Sequence, residues 1–186
     1  MNLFFLDIDP KKCAEYHCDK HVVKMLLEIV QLLYTAHYQL SSTNLPEDSY
    51  KPISNPKHPT SIWIRLCVEN YNYASEVAIY LAKEYTLRYG RVHKCESHAT
   101  WLRNNIPTFS IKFEYTQATT LSYNKYFESI GITPVPLAMP DDSKLSDPIN
   151  SYRMYYKLHK KHFVKWTSRS IPYWFTYSDI RIYFKK

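Results

Sequence analysis

The sequence predicts a single, mainly α-helical domain. Its 186 residues suit one domain with a buried core. Only two residues are glycine, so the tight turns that join short strands are scarce. Eleven prolines suit long helices joined by proline-bearing loops. Hydrophobic residues make up 45% of the chain and charged residues 22%, as in folded globular proteins. We therefore expect one bundle of about five helices over residues 1–186.

The first element is a short apolar segment, and the second is the first long helix. The segment "LFFLDI" is too short to cross a membrane and is typical of a buried, extended segment or strand. Asp9 and Pro10 are typical of a helix N-cap followed by proline in the first turn. The apolar pattern then continues as far as Gln39. We expect one continuous helix over residues 11–39.

The later elements follow from loop composition and from helix-ending signals. Residues 41–60 are rich in Ser, Pro and Asn and predict a long loop. Four further helices are predicted, over residues 60–89, 91–105, 118–130 and 150–161. Gly90 and Gly131 stand where the second and fourth helices would end. Asp147 and Pro148 repeat the cap-and-proline start before the last helix, which leads into a basic, aromatic and partly extended tail.

Charge and cysteine usage indicate the kind of partner and compartment. The formal net charge is +7, which favours a phosphate-bearing partner such as DNA, another nucleic acid or a nucleotide. The four cysteines have no disulfide-framework spacing, and the N-terminus has no secretory pattern. We expect reduced thiols, a cytoplasmic or nuclear location, no membrane partner, no cofactor and a monomer.

One side of the first predicted helix carries polar side chains, called here the polar strip. At about 100° per residue, the strip comprises Cys13, His17, His21, Lys24, Glu28, Gln31 and Thr35, with Lys20 at its margin. Apolar residues cover most of the remaining circumference, as in buried helices. Because buried polar groups need partners, the strip is predicted to face a crevice or matching polar groups. The alternative is a solvated stripe.

Two kinds of chemistry could use the polar strip. His17 and His21 lie one turn apart, as metal ligands do, but "HCDKH" lacks the glutamate of the zinc-protease motif, and we predict no metal ligands. Lys24 could be an amine whose pKa is lowered by burial and a cationic neighbour, able to form a Schiff base with a sugar C1′. Glu28 could act as acid and base, or stabilise an oxocarbenium-like centre. A plain Lys24–Glu28 ion pair is the alternative.

Other basic and aromatic residues predict a nucleic-acid interface. His58 stands at the start of the second helix, where free N–H groups favour an anion. The candidate nucleic-acid contacts are Lys20, Arg88, His93, Lys94, Arg153, Lys160, Lys165, Trp166 and Arg169. Basic groups among aromatic rings suit phosphates beside stacked bases. Two alternatives stay open: cations near Gly90 also complement a helix C-terminus, and the later aromatics could pack one helix face.

Three short motifs carry a resemblance to a known family. "CAEYHCDKHVVKM" opens the first long helix, "NPKHP" precedes the second, and "KEYTLRYG" ends it. In this order they resemble the small helical pyrimidine-dimer DNA glycosylases of phage endonuclease V type and their bacterial relatives, over about the first half of the chain. "CDKHVVKM" also resembles uncharacterised virus and phage proteins, which implies a viral origin.

The resemblance implies a reaction as well as a fold. In those glycosylases the nucleophile is the N-terminal amine exposed by methionine removal, and a glutamate on the first helix is essential. Here Asn2 is too bulky for efficient removal of Met1, and Val23 and Lys24 stand where that glutamate would align. Glu28 and Lys24 would then have taken over the chemistry.

The leading expectation is a base-excision enzyme that cleaves an N-glycosidic bond in DNA, with AP-lyase activity. Lys24 or the N-terminal amine is the nucleophile, and Glu28 is the acid and base. His17 and His21, on the strip, and His58 complete the candidate catalytic set, with His21 and His58 orienting the sugar or phosphate. One alternative is a metal-dependent hydrolase or transferase acting on nucleotides, with a third histidine, His58 or His93, joining His17 and His21. The other is a non-catalytic binder of nucleic acid or of a partner protein.

Overall fold

The structure is a computed structural model that describes residues 2–115 and 118–176, and it confirms the mainly α-helical prediction. Within that part, 50% of residues are helical and the one sheet has two strands. The helices are α1 (Pro10–Tyr16), α2 (Asp19–Gln39), α3 (Pro59–Ile64), α4 (Val68–Tyr89), α5 (Glu96–Asn104), α6 (Lys125–Ser129) and α7 (Pro148–Tyr155). No helix in the described ranges is long and apolar enough to cross a membrane.

The first predicted helix is in fact two helices. Asp9 caps α1 by accepting from the amides of residues 11 and 12, and Pro10 occupies its first turn, as predicted. The backbone then becomes extended at His17 (ψ 134°) and Cys18 (ψ 162°) before α2 begins. The prediction of one continuous helix is therefore wrong. The angular positions of the polar strip hold only from residue 19 onward.

Tertiary hydrogen bonds stabilise the break between α1 and α2. The Arg88 guanidinium donates to the carbonyl oxygens of Glu15 (2.9 Å) and His17 (2.8 Å), which α1 leaves without partners. At the start of α2, the Asp19 amide donates to the Lys165 carbonyl at 2.8 Å. No glycine or proline marks the break. Residues about 70 and 150 positions away in sequence make it, so local sequence signals could not have shown it.

The second predicted helix is also divided, into α3 and α4. Asn70 Nδ2 donates to the carbonyl oxygen of Trp63 (2.7 Å) and so satisfies the end of α3. Gly90 ends α4 with a left-handed φ of 66°, as predicted. The predicted helix over 118–130 shrinks to α6, because residues before it form β1 (Leu121–Ser122), which pairs antiparallel with β2 (Val135–Pro136).

The N-terminal segment runs through the core of the helical domain. It forms no strand, which corrects that prediction, but residues 3–6 are all buried. Phe5 packs edge-on against Trp63 (4.9 Å between ring centroids) and stacks on Tyr73 (5.5 Å). Around this segment α2 packs along α4, and α1 packs on α4. Burial of residues 3–6 places Asn2 next to α2 and α3.

The last predicted helix begins as expected and then changes geometry. Asp147 caps α7 and Pro148 opens it. After Tyr155 the chain continues as a π-helical turn, Tyr156–Lys160, a geometry often found at functional sites. Trp174 and Phe175 in the tail are buried. The part of the predicted tail beyond residue 176 lies outside the described residues.

Candidate active site

A cleft of about 280 Å³ opens between α2, the start of α3 and the π-helical turn. We call it the candidate cleft. Its polar lining groups are Asn2, His21, Lys24, Glu28, His58 and Lys160. Four of the five predicted catalytic residues therefore line one cavity, although they come from two regions 30 or more residues apart. A cavity of this volume suits one sugar or base rather than a dinucleotide.

Glu28 joins the beginning of the chain to α2. Its Oε2 atom accepts a hydrogen bond of 2.8 Å from the backbone amide of Asn2, and its side chain is 13% exposed. Lys24 Nζ lies 3.6 Å from Oε1, but the Lys24 side chain is 68% exposed. This ion pair contributes little to stability because water screens it. The burial that would make Lys24 a reactive amine, expected from the sequence, is absent.

His21 is a buried, neutral group at one wall of the cleft. Its Nδ1 atom shares a hydrogen bond of 2.6 Å with the Tyr156 hydroxyl, and Phe4 lies edge-on to its ring at 4.9 Å. Burial lowers the pKa of His21 to about 3, and His17 and the nearby lysines add to the shift. The imidazole is therefore uncharged at neutral pH and acts as a hydrogen-bonding group rather than a cation.

His58 forms the opposite wall, at the start of α3. Its Nδ1 atom accepts a hydrogen bond of 3.2 Å from the Thr60 amide. Burial lowers the pKa of His58, so the neutral ring carries its proton on Nε2 and can donate from there. Thr60 in turn donates from its hydroxyl to the Asn2 side-chain oxygen at 3.2 Å. His58 and the beginning of the chain are thus held in one hydrogen-bonded unit.

Two residues of the site were missed from the sequence. Asn2 donates to Glu28 from its backbone, donates to the Ala138 carbonyl from its side chain (3.0 Å), and accepts from Thr60 and Tyr152. Tyr156 holds His21 from the π-helical turn. A single asparagine before an apolar segment and one of eighteen tyrosines carry no signal by themselves. Only long-range packing brings them to the cleft.

His17, the fifth predicted catalytic residue, does not line the cleft. It is fully buried and stacks on Phe4 with ring centroids 6.2 Å apart. Its Nδ1 atom is 2.7 Å from the Cys13 carbonyl oxygen, and its Nε2 atom has no partner. In the described part of the chain, no three His, Cys, Asp or Glu side chains come together as metal ligands, so the expected grouping of His17, His21 and a third histidine is not formed.

Several predicted nucleic-acid contacts lie inside the fold instead. The Arg88 side chain has no exposed surface and binds Glu84 and Asp19 as well as the α1 carbonyls. Arg169 pairs with Glu84 at 2.5 Å. Both guanidinium groups thus already bind carboxylates of the protein, with the Arg88 side chain fully buried and the Arg169 side chain 34% exposed.

Three further predicted contacts also have hydrogen-bond partners within the protein: Arg153, Trp166 and His93. Arg153 donates to the Leu6 carbonyl (2.9 Å) and pairs with Asp7 (3.0 Å). The buried Trp166 donates from its indole N–H to the Tyr16 carbonyl at 3.0 Å. The buried His93 accepts a hydrogen bond from the Cys95 amide. These contacts are structural. From the spacing of residues in the sequence, a cation that binds at a helix end or packs the C-terminal segment cannot be distinguished from one that is exposed to solvent.

The remaining predicted cations are distributed differently. Lys160 lines the cleft, with its ammonium 4.5 Å from the Tyr155 ring centroid. Lys20 lies over Phe163, which itself contacts His21. Together with Lys24 they form a positive rim, defined here as Lys20, Lys24 and Lys160. Lys165 is exposed, and Lys94 lines a separate depression beside Trp101.

A comparison with protein-family models gives no match, and comparisons with curated proteins and with solved structures give none either. The cleft and its chemistry are therefore the basis on which a function can be inferred.

Proposed function

We propose that this protein is a base-excision enzyme that cleaves an N-glycosidic bond in DNA, with strand cleavage by β-elimination as its second step. One observation supports this most: a carboxylate, a main-chain nitrogen of the first residues, a lysine and two neutral histidines meet in one cleft. An amine beside a carboxylate is the pair that the resemblance to the pyrimidine-dimer glycosylases implies. The positive rim adds cations for the phosphates on either side of the bound nucleotide.

The nucleophile in this proposal is a main-chain amine at the beginning of the chain, with Lys24 as the second candidate. The nitrogen of Asn2 lies 2.8 Å from Glu28. Because Asn2 hinders removal of Met1, the Asn2 nitrogen is a peptide amide, and the α-amine in this proposal is that of Met1, three bonds away along the chain. Lys24 has the same carboxylate within 3.6 Å but is largely in water.

The reaction assigns one role to each group. The amine bonds to C1′ of the sugar, and the bond from C1′ to the base breaks with its electron pair staying on the base. Glu28 takes the proton that the amine loses and returns it to O4′ as the C1′–O4′ bond breaks, which opens the ring and leaves a protonated Schiff base, while the departing base takes up a proton from solvent. His58 can donate from Nε2 to a sugar or base oxygen, while the neutral His21 orients the sugar. Removal of a C2′ proton then expels the 3′ phosphate.

Borohydride trapping on a duplex with one abasic site tests the proposal. We expect a covalent adduct with the wild-type protein, and about 100-fold slower adduct formation in Glu28→Gln, the lower end of what general acid and base catalysis contributes. Blocking the main-chain amine by an N-terminal extension should abolish the adduct, whereas Lys24→Ala should only weaken it. Lys51→Ala and Glu47→Gln, both on exposed residues, are the matched controls.

The same experiment defines what would contradict the proposal. An adduct that survives the extension but disappears in Lys24→Ala would move the nucleophile to Lys24. No adduct with any form, together with no strand cleavage, would remove the lyase reaction. If cleft substitutions then lower stability but leave DNA binding per folded molecule unchanged, the protein is a non-catalytic binder.

A further inference from the structure

Arg65 is a buried cation without a counter-charge. It follows α3, is 3% exposed, and makes no ion pair with any carboxylate in the described part of the chain. The one hydrogen bond of its side chain to a described residue runs from Nη1 to the Ser61 hydroxyl at 2.9 Å, and its buried Nε–H has no partner among those residues. Burial lowers the pKa of Arg65 to about 10, so the group stays charged at neutral pH. Such a lone buried charge is costly.

A second donor without a partner lies at the same junction between α3 and α4. The buried hydroxyl of Tyr115 has no hydrogen-bond partner within residues 2–115 and 118–176. Burial raises the pKa of Tyr115, and Cys67, at the start of α4, adds to that rise, which places the phenol near this junction. Two residues earlier, the Phe113 ring lies 4.6 Å from the Arg65 guanidinium carbon. Both unpaired groups can donate, so the group that would satisfy them is an acceptor.

The segment of residues 106–115, which contacts Arg65 through Phe113, is weakly held in place. Residues 106–115 make no hydrogen bond to any other described residue. Ring contacts hold them instead: Phe113 on Arg65, and Phe109 edge-on to Tyr71 with centroids 6.1 Å apart. A segment without hydrogen bonds can move aside at a small free-energy cost. An anion could therefore reach Arg65 although the residue is buried in the closed form.

We propose that the α3–α4 junction is a binding site for a phosphate-class oxyanion, which accepts hydrogen bonds from Arg65 and Tyr115 beneath residues 106–115. A guanidinium has five N–H donors in a planar fork that fits phosphate oxygens, and Arg65 uses one of them. The bound anion supplies the missing counter-charge. Neither residue lines the candidate cleft, so this site does not depend on the proposed glycosidic reaction.

Thermal unfolding in sodium phosphate, against sodium chloride at matched ionic strength, tests the site. Phosphate should raise the Tm of the wild-type protein in a saturable way, because a ligand that binds only the folded state stabilises it. Arg65→Met should remove that rise, and it should fold, since an apolar side chain replaces a lone buried charge. Tyr115→Phe, which loses only the hydroxyl, should weaken phosphate about tenfold.

Two controls separate this site from the cleft and from general charge. Arg91→Met removes an exposed arginine, and Lys160→Met removes a cation of the cleft; both should keep the phosphate-dependent rise in Tm. Thymidine monophosphate and a short single-stranded oligodeoxynucleotide identify the source of the anion. A rise with the first alone, lost in Arg65→Met, assigns a free phosphate, and a rise with the second assigns a backbone phosphate.

The outcomes that overturn the proposal are equally definite. One is a wild-type protein that phosphate stabilises no more than chloride does. Another is a phosphate-dependent rise of full size in both Arg65→Met and Tyr115→Phe. A rise lost in Lys160→Met but kept in Arg65→Met would place the phosphate in the cleft instead. If Arg65→Met does not fold, the Tyr115→Phe result decides.

Discussion

His17, His21 and His37 are buried imidazoles that stay neutral, and this has a consequence for stability. Burial lowers the pKa of His17 to about 4, of His21 to about 3 and of His37 to about 4. Unfolded histidine titrates near pH 6.5. Between about pH 6.5 and 4 the unfolded state therefore binds more protons than the folded state. The stability that these residues contribute is present above pH 6.5 and is lost as the pH falls.

We predict that the free energy of unfolding, measured with urea, falls steeply from pH 7 to pH 5. Each histidine that stays neutral in the folded state contributes a slope of up to about 1.4 kcal/mol per pH unit. His17→Phe, which keeps the stacking on Phe4, should reduce the slope by about that amount. A flat profile in the wild-type protein, or an unchanged slope in His17→Phe, would contradict this account.

At the scale of single residues, three of the five predicted catalytic residues could be identified because helical spacing places them together. His21, Lys24 and Glu28 lie on one unbroken helix, where a spacing of three or four residues fixes which side chains are neighbours. His58 was marked by its place before Pro59 at a helix start. His17 fails because the helix ends before it, and Asn2 could not be found because its role depends on partners up to 150 residues away.

Among the elements, the break between α1 and α2 decides which residues reach the cleft. Extended backbone at His17 and Cys18 turns α1 onto α4, and α2 then presents His21 and Glu28 to the chain start. Arg88, on α4, makes three donor contacts across this break, to the Glu15 and His17 carbonyls and the Asp19 carboxylate, and it also binds Glu84 on its own helix. In the sequence, the position of Arg88 near the end of α4 also suits a phosphate contact. A cation is expected near a helix C-terminus for either role.

We predict that Arg88→Met lowers the free energy of unfolding by about 3 kcal/mol, because buried carbonyl and carboxylate groups lose their donor. Arg88→Lys should recover less than half of that loss, since one ammonium cannot reach both carbonyls and both carboxylates together. The exposed Arg91→Met should change stability by less than about 0.5 kcal/mol. Urea unfolding measures all three. An Arg88→Met protein as stable as Arg91→Met would exclude the bridging role.

Over the whole molecule, the net charge of +7 says less about binding than where the cations lie. Arg88, Arg153 and Arg169 form ion pairs within the protein, so their charges are already balanced by carboxylates of the fold. In the positive rim, Lys24 and Lys160 line the cleft and Lys20 lies over Phe163 beside it. The fold class could be predicted from glycine and proline content. The charge distribution could not, because ion pairing depends on contacts between distant segments.

This distribution predicts the salt dependence of DNA binding, provided that DNA is the substrate we propose. About three or four released counterions should give a slope of log K against log salt near −3, rather than the −6 expected if every positive net charge contacted a phosphate. Lys160→Ala should make the slope shallower by about 1, because one phosphate contact is lost. Lys51→Ala, on an exposed loop residue away from the cleft, should leave the slope unchanged.

Fluorescence anisotropy with a labelled abasic duplex at several salt concentrations measures this slope. A slope steeper than −6, or one that Lys51→Ala and Lys160→Ala change equally, would mean that the phosphates are held elsewhere on the surface.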